Sequence, residues 1–262
     1  MTNAGLTQLI QAVTGNHILA FFLVLVRVAP LFVLAPVFSA QQIPQTVKGV
    51  IGVALAIGLT GVAAAGQHLP SDAVAIVGLI LVQLLVGTAF AFALAAMFAA
   101  LEVAGTFLDT VSGFSYGSLI NPFTGTQAAV LARLYSLVGS MLFLSIGGDA
   151  YMLRGIARTF TLVPLAAAAP QLNSIAAGAV QSFSTLFAAA LEVAGPILLA
   201  LLVTDIAFGL VSRVVPQLNV FAVGLPVKIG VALLLVAATL PFLAGWMTSA
   251  LQNAVGLAFH EI

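Results

Sequence analysis

The sequence has no cysteine, three histidines, one tryptophan, and only seven basic and seven acidic side chains in 262 residues. Each shortage removes a class of function. Without cysteine there are no disulfides, no thiolate metal ligands and no cysteine nucleophile. His17, His68 and His260 share no metal-ligand spacing and the carboxylates are scattered, so no metal centre is legible. A net charge of zero leaves no electrostatic footprint for nucleic acid and no basic cluster for anionic lipid. No glycine-rich loop with its lysine is present to cradle phosphate. Charged residues at 5% fall far below the roughly one quarter of a soluble domain, so most of this surface cannot face water.

What fills the chain instead is apolar, at 62% of residues. The pattern predicts an all-α, polytopic helical membrane protein with about six long apolar helices paired in hairpins. The first sixteen residues lack Lys and Arg, so a cleaved secretory leader is not expected and the first span is retained. That span, His17–Phe38, carries Arg27, which is costly in lipid and must face a partner helix or water. Pro30 and Pro36 should kink the helix or end it near Ala29 or Ala35. A polar link follows, with Pro44-Gln45 and Lys48, and then a glycine-containing span, Val47–Ala65. Asp72–Ala104 is the longest helical pattern, well over one bilayer crossing. Gln127–Ile146 carries Arg133, and Gly147–Pro170 reads as interfacial, with Asp149, Arg154 and Arg158 spread along it. Basic residues lie in both sets of loops, so they do not orient the spans. Ala99–Gly105 and Ala189–Gly195 both read AALEVAG, and their glutamates are expected to be partnered within helix packing.

Gly105–Phe123 reads as a non-helical segment with three glycines, four aromatics and a single Asp. A lipid-facing loop would leave backbone groups unsatisfied, so this one should pack against protein or fill a cavity. Within it Gly113-Phe114-Ser115-Tyr116-Gly117 matches G-x-S-x-G. That nucleophile-elbow pattern needs a preceding strand and a downstream acid and histidine. No strand pattern precedes it and the only later histidine is His260, so the sequence does not read as an enzyme and implies no cofactor.

The densest polar stretch is Asp205–Lys228, set between two apolar runs. Pro216 and Pro226 argue against a straight helix through both, while Asn219 and Gly224 tolerate the backbone angles of a reversal. The expectation is two long helices folded back on a charged elbow. Asp205 and Arg213 lie eight residues apart, too far for a pair on neighbouring turns, so each is expected to pair with a different subunit.

Ser212-Arg213-x-x-Pro216-Gln217-x-Asn219-Val220-Phe221-x-x-Gly224-x-Pro226-x-Lys228 resembles the most characteristic segment of the FliR family of flagellar and type III secretion export-gate membrane proteins. The resemblance extends from about His17 to Trp246. It implies a single membrane domain whose residues 1–170 are FliP-like and whose residues 171–262 form a FliQ-like hairpin. It implies a subunit that forms, with FliP and FliQ, a closed channel through which unfolded flagellar subunits leave the cytoplasm. FlhB-like and FlhA-like export proteins are implied as neighbours, in the bacterial inner membrane at the flagellar basal body. Gly105, Phe107, Asp109, Gly113, Phe114, Tyr116, Asn121, Pro122 and Phe123 would belong to the family's pore-plug loop. Thr106 stands where the family commonly has Gln. Asp205, Arg213, Pro216, Gln217, Asn219, Phe221, Gly224, Pro226 and Lys228 would form the assembly elbow. An injectisome subunit of the same family, a small-solute transporter and a scaffold subunit without a pore remain open alternatives.

Overall fold

The computed structural model describes residues 3–39, 43–116, 129–167, 172–217 and 219–261. These contain eight helices: α1 Asn3–Leu34, α2 Pro36–Ser39, α3 Gln45–Ala63, α4 Ala73–Ser112, α5 Val130–Ser145, α6 Gly148–Leu162, α7 Leu172–Val214 and α8 Val220–Glu261. Among the described residues five stretches are long and apolar enough to cross a membrane: Asn16–Leu34, Gln45–Ala63, Ala73–Ser112, Ala177–Val214 and Phe221–Gly256. The shorter α5 and α6 pass only as a pair, bent by 73° at the break between them, and give a sixth if the pair is one broken span. The chain is an all-α polytopic membrane protein.

Local chemistry explains most boundaries. α1 runs through Pro30 and yields at Ala35, before Pro36 opens α2. Proline at the first position of a helix forfeits only an N–H that has no partner there anyway. α3 begins directly after Pro44, and Lys48 Nζ reaches back to the Ser39 carbonyl at 2.9 Å. Asp72 Oδ2 accepts the Ala75 N–H at 3.1 Å and so caps α4. At 1.5 Å per residue the 40 residues of α4 span about 60 Å, twice a hydrocarbon core. The expected helix end at Glu102–Gly105 is corrected: α4 continues through Gly105, Phe107 and Asp109 to Ser112. The non-helical expectation overweighted Gly105, which costs a helix only about 1 kcal/mol.

The chain divides into two compact units. One comprises 1–95, 147–182 and 252–262; the other comprises 96–146 and 183–251. In the first, α1 packs against α3, with the Phe32 ring beneath Gly52. Val82 and Val86 of α4 pack with Val163, and Gly155 of α6 accepts the Phe90 ring. α6 is amphipathic as its sequence suggests: Met152, Ile156, Thr159 and Phe160 are buried, while Asp149, Tyr151 and Arg154 are exposed. Asn16 stitches the polar turn after α3. Its Nδ2 donates to the Gln67 carbonyl at 3.1 Å, and its Oδ1 accepts the Leu69 N–H at 3.2 Å.

Arg27 lies at the centre of this unit, at 0% exposure. Its Nε donates to Gln83 Oε1 at 2.7 Å, Nη1 to Thr159 Oγ1 at 3.3 Å, and Nη2 to the Val163 carbonyl at 2.8 Å. The guanidinium also sits 4.3 Å from the centre of the Phe160 ring. All of these partners are neutral. Thr159 and Val163 belong to the C-terminal end of α6, where carbonyl dipoles present partial negative charge, so the cation is held by a helix end. Gln83 extends the network by donating to the Leu165 carbonyl at 3.2 Å. The backbone of Gly87 presses on the Arg27 carbonyl so closely that no side chain fits between them. The expectation that Arg27 faces a partner helix is met inside the chain.

In the second unit, Ala96, Ala99, Ala100 and Val103 of α4 pack with Leu186 and Ala189 of α7 and with Trp246 of α8. The two AALEVAG strings therefore share one contact. Their glutamates do not follow the expectation. Glu102 and Glu192 are both exposed and neither carboxylate has a hydrogen-bond or ion-pair partner among the described residues, because the alanines of each string face the core and carry the acid to the opposite side. Phe98 meets Phe143 edge to face at 5.3 Å, and Leu101 packs on Gly139.

Replacing Arg27 by Met keeps an apolar stem but leaves Gln83 Oε1 and the Val163 carbonyl without a donor. Each orphaned buried group costs about 1–3 kcal/mol, so Arg27→Met should unfold at markedly lower SDS fraction or temperature in detergent. Stability equal to the parent protein would show that the guanidinium does not hold α6.

Candidate functional site

The second unit contains both stretches singled out from the sequence. At Gly105, α4 crosses the first turn of α5. A Cβ built there would collide with the backbone of Leu131 and Ala132, so only glycine allows this approach. One turn on, Asp109 is 2% exposed. Its Oδ1 accepts the Leu131 N–H at 2.9 Å and its Oδ2 the Ala132 N–H at 3.0 Å. These are the N–H groups that an N-cap residue ordinarily satisfies. The N-cap position of α5 is held by Ala129, whose methyl cannot accept. Asp109 therefore caps α5 from a distance of more than twenty residues in sequence, and its negative charge complements the positive end of the helix.

Asp109 also ends its own helix. Its carbonyl accepts the Ser112 hydroxyl at 3.4 Å and the Ser115 N–H at 3.3 Å. Gly113 follows with φ of +94°, a left-handed conformation that favours glycine, and Leu225 of α8 occupies the space a Cβ would need. Phe107 and Phe114 are half-buried. Tyr116 is exposed and meets the Phe221 ring edge to face at 6.0 Å. Asn121, Pro122 and Phe123 lie outside the described residues.

The elbow is tighter than expected. α7 ends at Val214 with Arg213 in its last turn, where a cation suits the helix C-terminus. Pro216 and Gln217 make an exposed turn. Asn219 Oδ1 accepts the Ala222 N–H at 3.1 Å and caps α8. Pro226 does not belong to the reversal: it lies inside α8, a position tolerated where neighbouring helices supply packing. Gly224 is buried against the Phe208 ring. Lys228 Nζ lies 2.8 Å from Asp205 Oδ1 and 2.9 Å from Oδ2. The expectation that Asp205 pairs with another subunit is thus corrected, since the antiparallel hairpin brings Lys228 of α8 opposite Asp205 of α7. Arg213 is exposed and makes no ion pair among the described residues.

The structure joins what the sequence listed as two stretches: Tyr116 meets Phe221, and Gly113 meets Leu225. Arg213, Pro216 and Gln217 are exposed. Sequence reasoning missed the cap on α5, although a buried-type Asp preceding an uncapped helix start was a usable signal. It also missed the Asp205–Lys228 pair, since partners 23 residues apart follow from hairpin register rather than local spacing.

Long apolar helices, a buried helix start capped by Asp109 and a closed hairpin define a polytopic helical membrane protein. Residues 18–254 match the family described as bacterial export proteins, family 1, and the chain belongs to that family. It is 31% identical to the flagellar biosynthetic protein FliR of Bacillus subtilis (strain 168) over 218 residues, covering 82% of this chain and 84% of that one. It is 30% identical to the flagellar biosynthetic protein FliR of Escherichia coli (strain K12) over 229 residues, covering 86% and 85%. Yop proteins translocation protein T of Yersinia pestis is 28% identical over 220 residues, covering 83% and 84%.

Two substitutions test the geometry. Gly105→Val should sharply reduce folded protein because it drives α4 from α5, whereas Gly49→Ala, with open space around it, should leave the yield unchanged. Equal yields would mean that α4 and α5 do not cross at Gly105. For the hairpin, a double-mutant cycle of Asp205→Ala and Lys228→Ala in detergent should give a coupling of about 1 kcal/mol. Strictly additive losses would argue against a stabilising pair.

Proposed function

We propose that this protein is a subunit of a flagellar type III protein export gate. It assembles with FliP-like and FliQ-like subunits into a channel, closed at rest, that passes unfolded flagellar subunits out of the cytoplasm. It acts without catalysis, in the bacterial inner membrane at the flagellar basal body, beside FlhA-like and FlhB-like export proteins. Residues 1–170 supply the FliP-like part and 171–262 the FliQ-like hairpin. The observation that carries this reading is similarity at 30–31% identity to two FliR proteins along more than four fifths of the chain. The injectisome is the second reading, favoured by the 28% identity to the Yersinia translocation protein over a comparable length.

Within the gate, the stretch that begins at Gly105 takes part in the seal. Its support is the juxtaposition of Gly113 and Tyr116 with Leu225 and Phe221, which sets aromatic surface where α4 ends. The elbow holds the subunit in its assembly; its support is that Arg213 and Gln217 are exposed.

Loss of the gene from its flagellate host should abolish secretion of flagellar subunits, and the tagged protein should co-purify with FliP-like and FliQ-like chains. Deleting residues 113–116 should preserve co-purification and raise ion conductance of the cells. Secretion that continues in the absence of the gene would overturn the gate assignment. Normal assembly with no added conductance would remove this stretch from the seal.

A further inference from the structure

Helix α5 begins without a cap of its own. Ala129 precedes it at φ −81° and ψ 69°, and makes no side-chain hydrogen bond. The missing acceptor comes from Asp109, whose two oxygens are each committed to one N–H of the first turn. The carbonyl of the same residue accepts from Ser115, at the start of the stretch that leaves α4. No basic side chain bonds the carboxylate among the described residues; its charge is balanced by the end of α5. One residue therefore fixes two things: the position of the first turn of α5 on α4, and the course of the chain through Gly113 to Tyr116, which continues onto Phe221 of the elbow. A cap supplied locally at position 129 would satisfy α5 equally well and would tie it to nothing.

We infer that Asp109 is a releasable clasp, a positioning residue whose remote cap couples α5 to the end of α4 and so sets how firmly the closed gate is held. The inference rests on the reading that the stretch after α4 takes part in the seal. Both contacts are amide-to-carboxylate bonds that break and re-form without covalent change. An N-cap bond is also of a strength that thermal fluctuation or an incoming chain can overcome, at about a fivefold change in equilibrium per cap lost.

The experiment uses the full protein in cells, with assembly checked by co-purification. Asp109→Asn keeps the side-chain shape but removes the charge and one acceptor, leaving one N–H of the first turn buried without a partner, and it should raise resting ion conductance at least about fivefold. Ala129→Asp is then added, restoring an acceptor for Leu131 and Ala132 from the residue next to them. The double variant should regain the thermal stability and yield of the parent while its conductance stays raised. Conductance that falls to the parental level together with stability would overturn the clasp and leave Asp109 as an ordinary structural cap. Assembled Asp109→Asn protein with parental conductance would overturn it directly. Failure of Ala129→Asp to restore yield would also overturn it, because the part played by Asp109 would then lie outside the cap. Removal of residues 113–116 serves as the separate control. Raised conductance there with none in Asp109→Asn rejects the clasp alone, whereas no effect of the deletion rejects the seal on which it rests.

Discussion

A helix that starts or stops away from water must find partners for its end groups inside the protein, and this constraint organises the whole chain. Polar side chains are few, and several of them serve helix ends. Asp109 serves the start of α5 and Arg27 the finish of α6. Lys48 serves the end of α2, while Asp72 and Asn219 start α4 and α8. The signs agree with the helix dipole in the charged cases: carboxylates at N-termini, cations at C-termini. Two of these charges, Asp109 and Arg27, are buried without an ion-pair partner among the described residues, which would be costly if dipoles did not stand in for counterions.

The same economy explains the close helix contacts. Where α4 meets α5 the crossing is set by Gly105 against Ala132, and where α1 meets α4 it is set by Gly87 against Arg27. Apolar side chains gain little from association when lipid is as apolar as the neighbouring helix, so backbone proximity and a few specific hydrogen bonds decide which faces meet. In each of these crossings the hydrogen-bonding residue lies one turn or less from the contact, at Asp109 in one case and at Arg27 itself in the other. Close approach and polar linkage reinforce each other.

Much of this could be read from residues alone. The long apolar runs gave the helices and the hairpin, and Pro216 with Asn219 marked the reversal, because those signals are local. Arg27 was legible as a group needing an internal partner, but not which partner: Thr159 and Val163 follow more than a hundred residues later, and only packing brings them near. Asp205 was assigned to another subunit for the same reason, as Lys228 becomes its neighbour only through the register of the hairpin. The helix end at Gly105 was misread because a glycine that permits a close crossing looks, in sequence, like one that breaks a helix. Asn121, Pro122 and Phe123 lie outside the described residues, so the far side of that stretch rests on the family resemblance.

The node at Arg27 also has a consequence for how the protein is made. As the chain is synthesised, Arg27 emerges in the first span, and Gln83 can reach it once α4 has followed. The remaining donors stay unsatisfied until Thr159 and Val163 have been added, well past the middle of the chain. The clasp between Asp109 and α5 closes sooner, since its partners are separated by only 22 and 23 residues. A nascent chain halted between these two events carries a completed α4–α5 contact while its guanidinium still lacks the Thr159 and Val163 acceptors, and a buried cation short of acceptors marks an unfinished subunit.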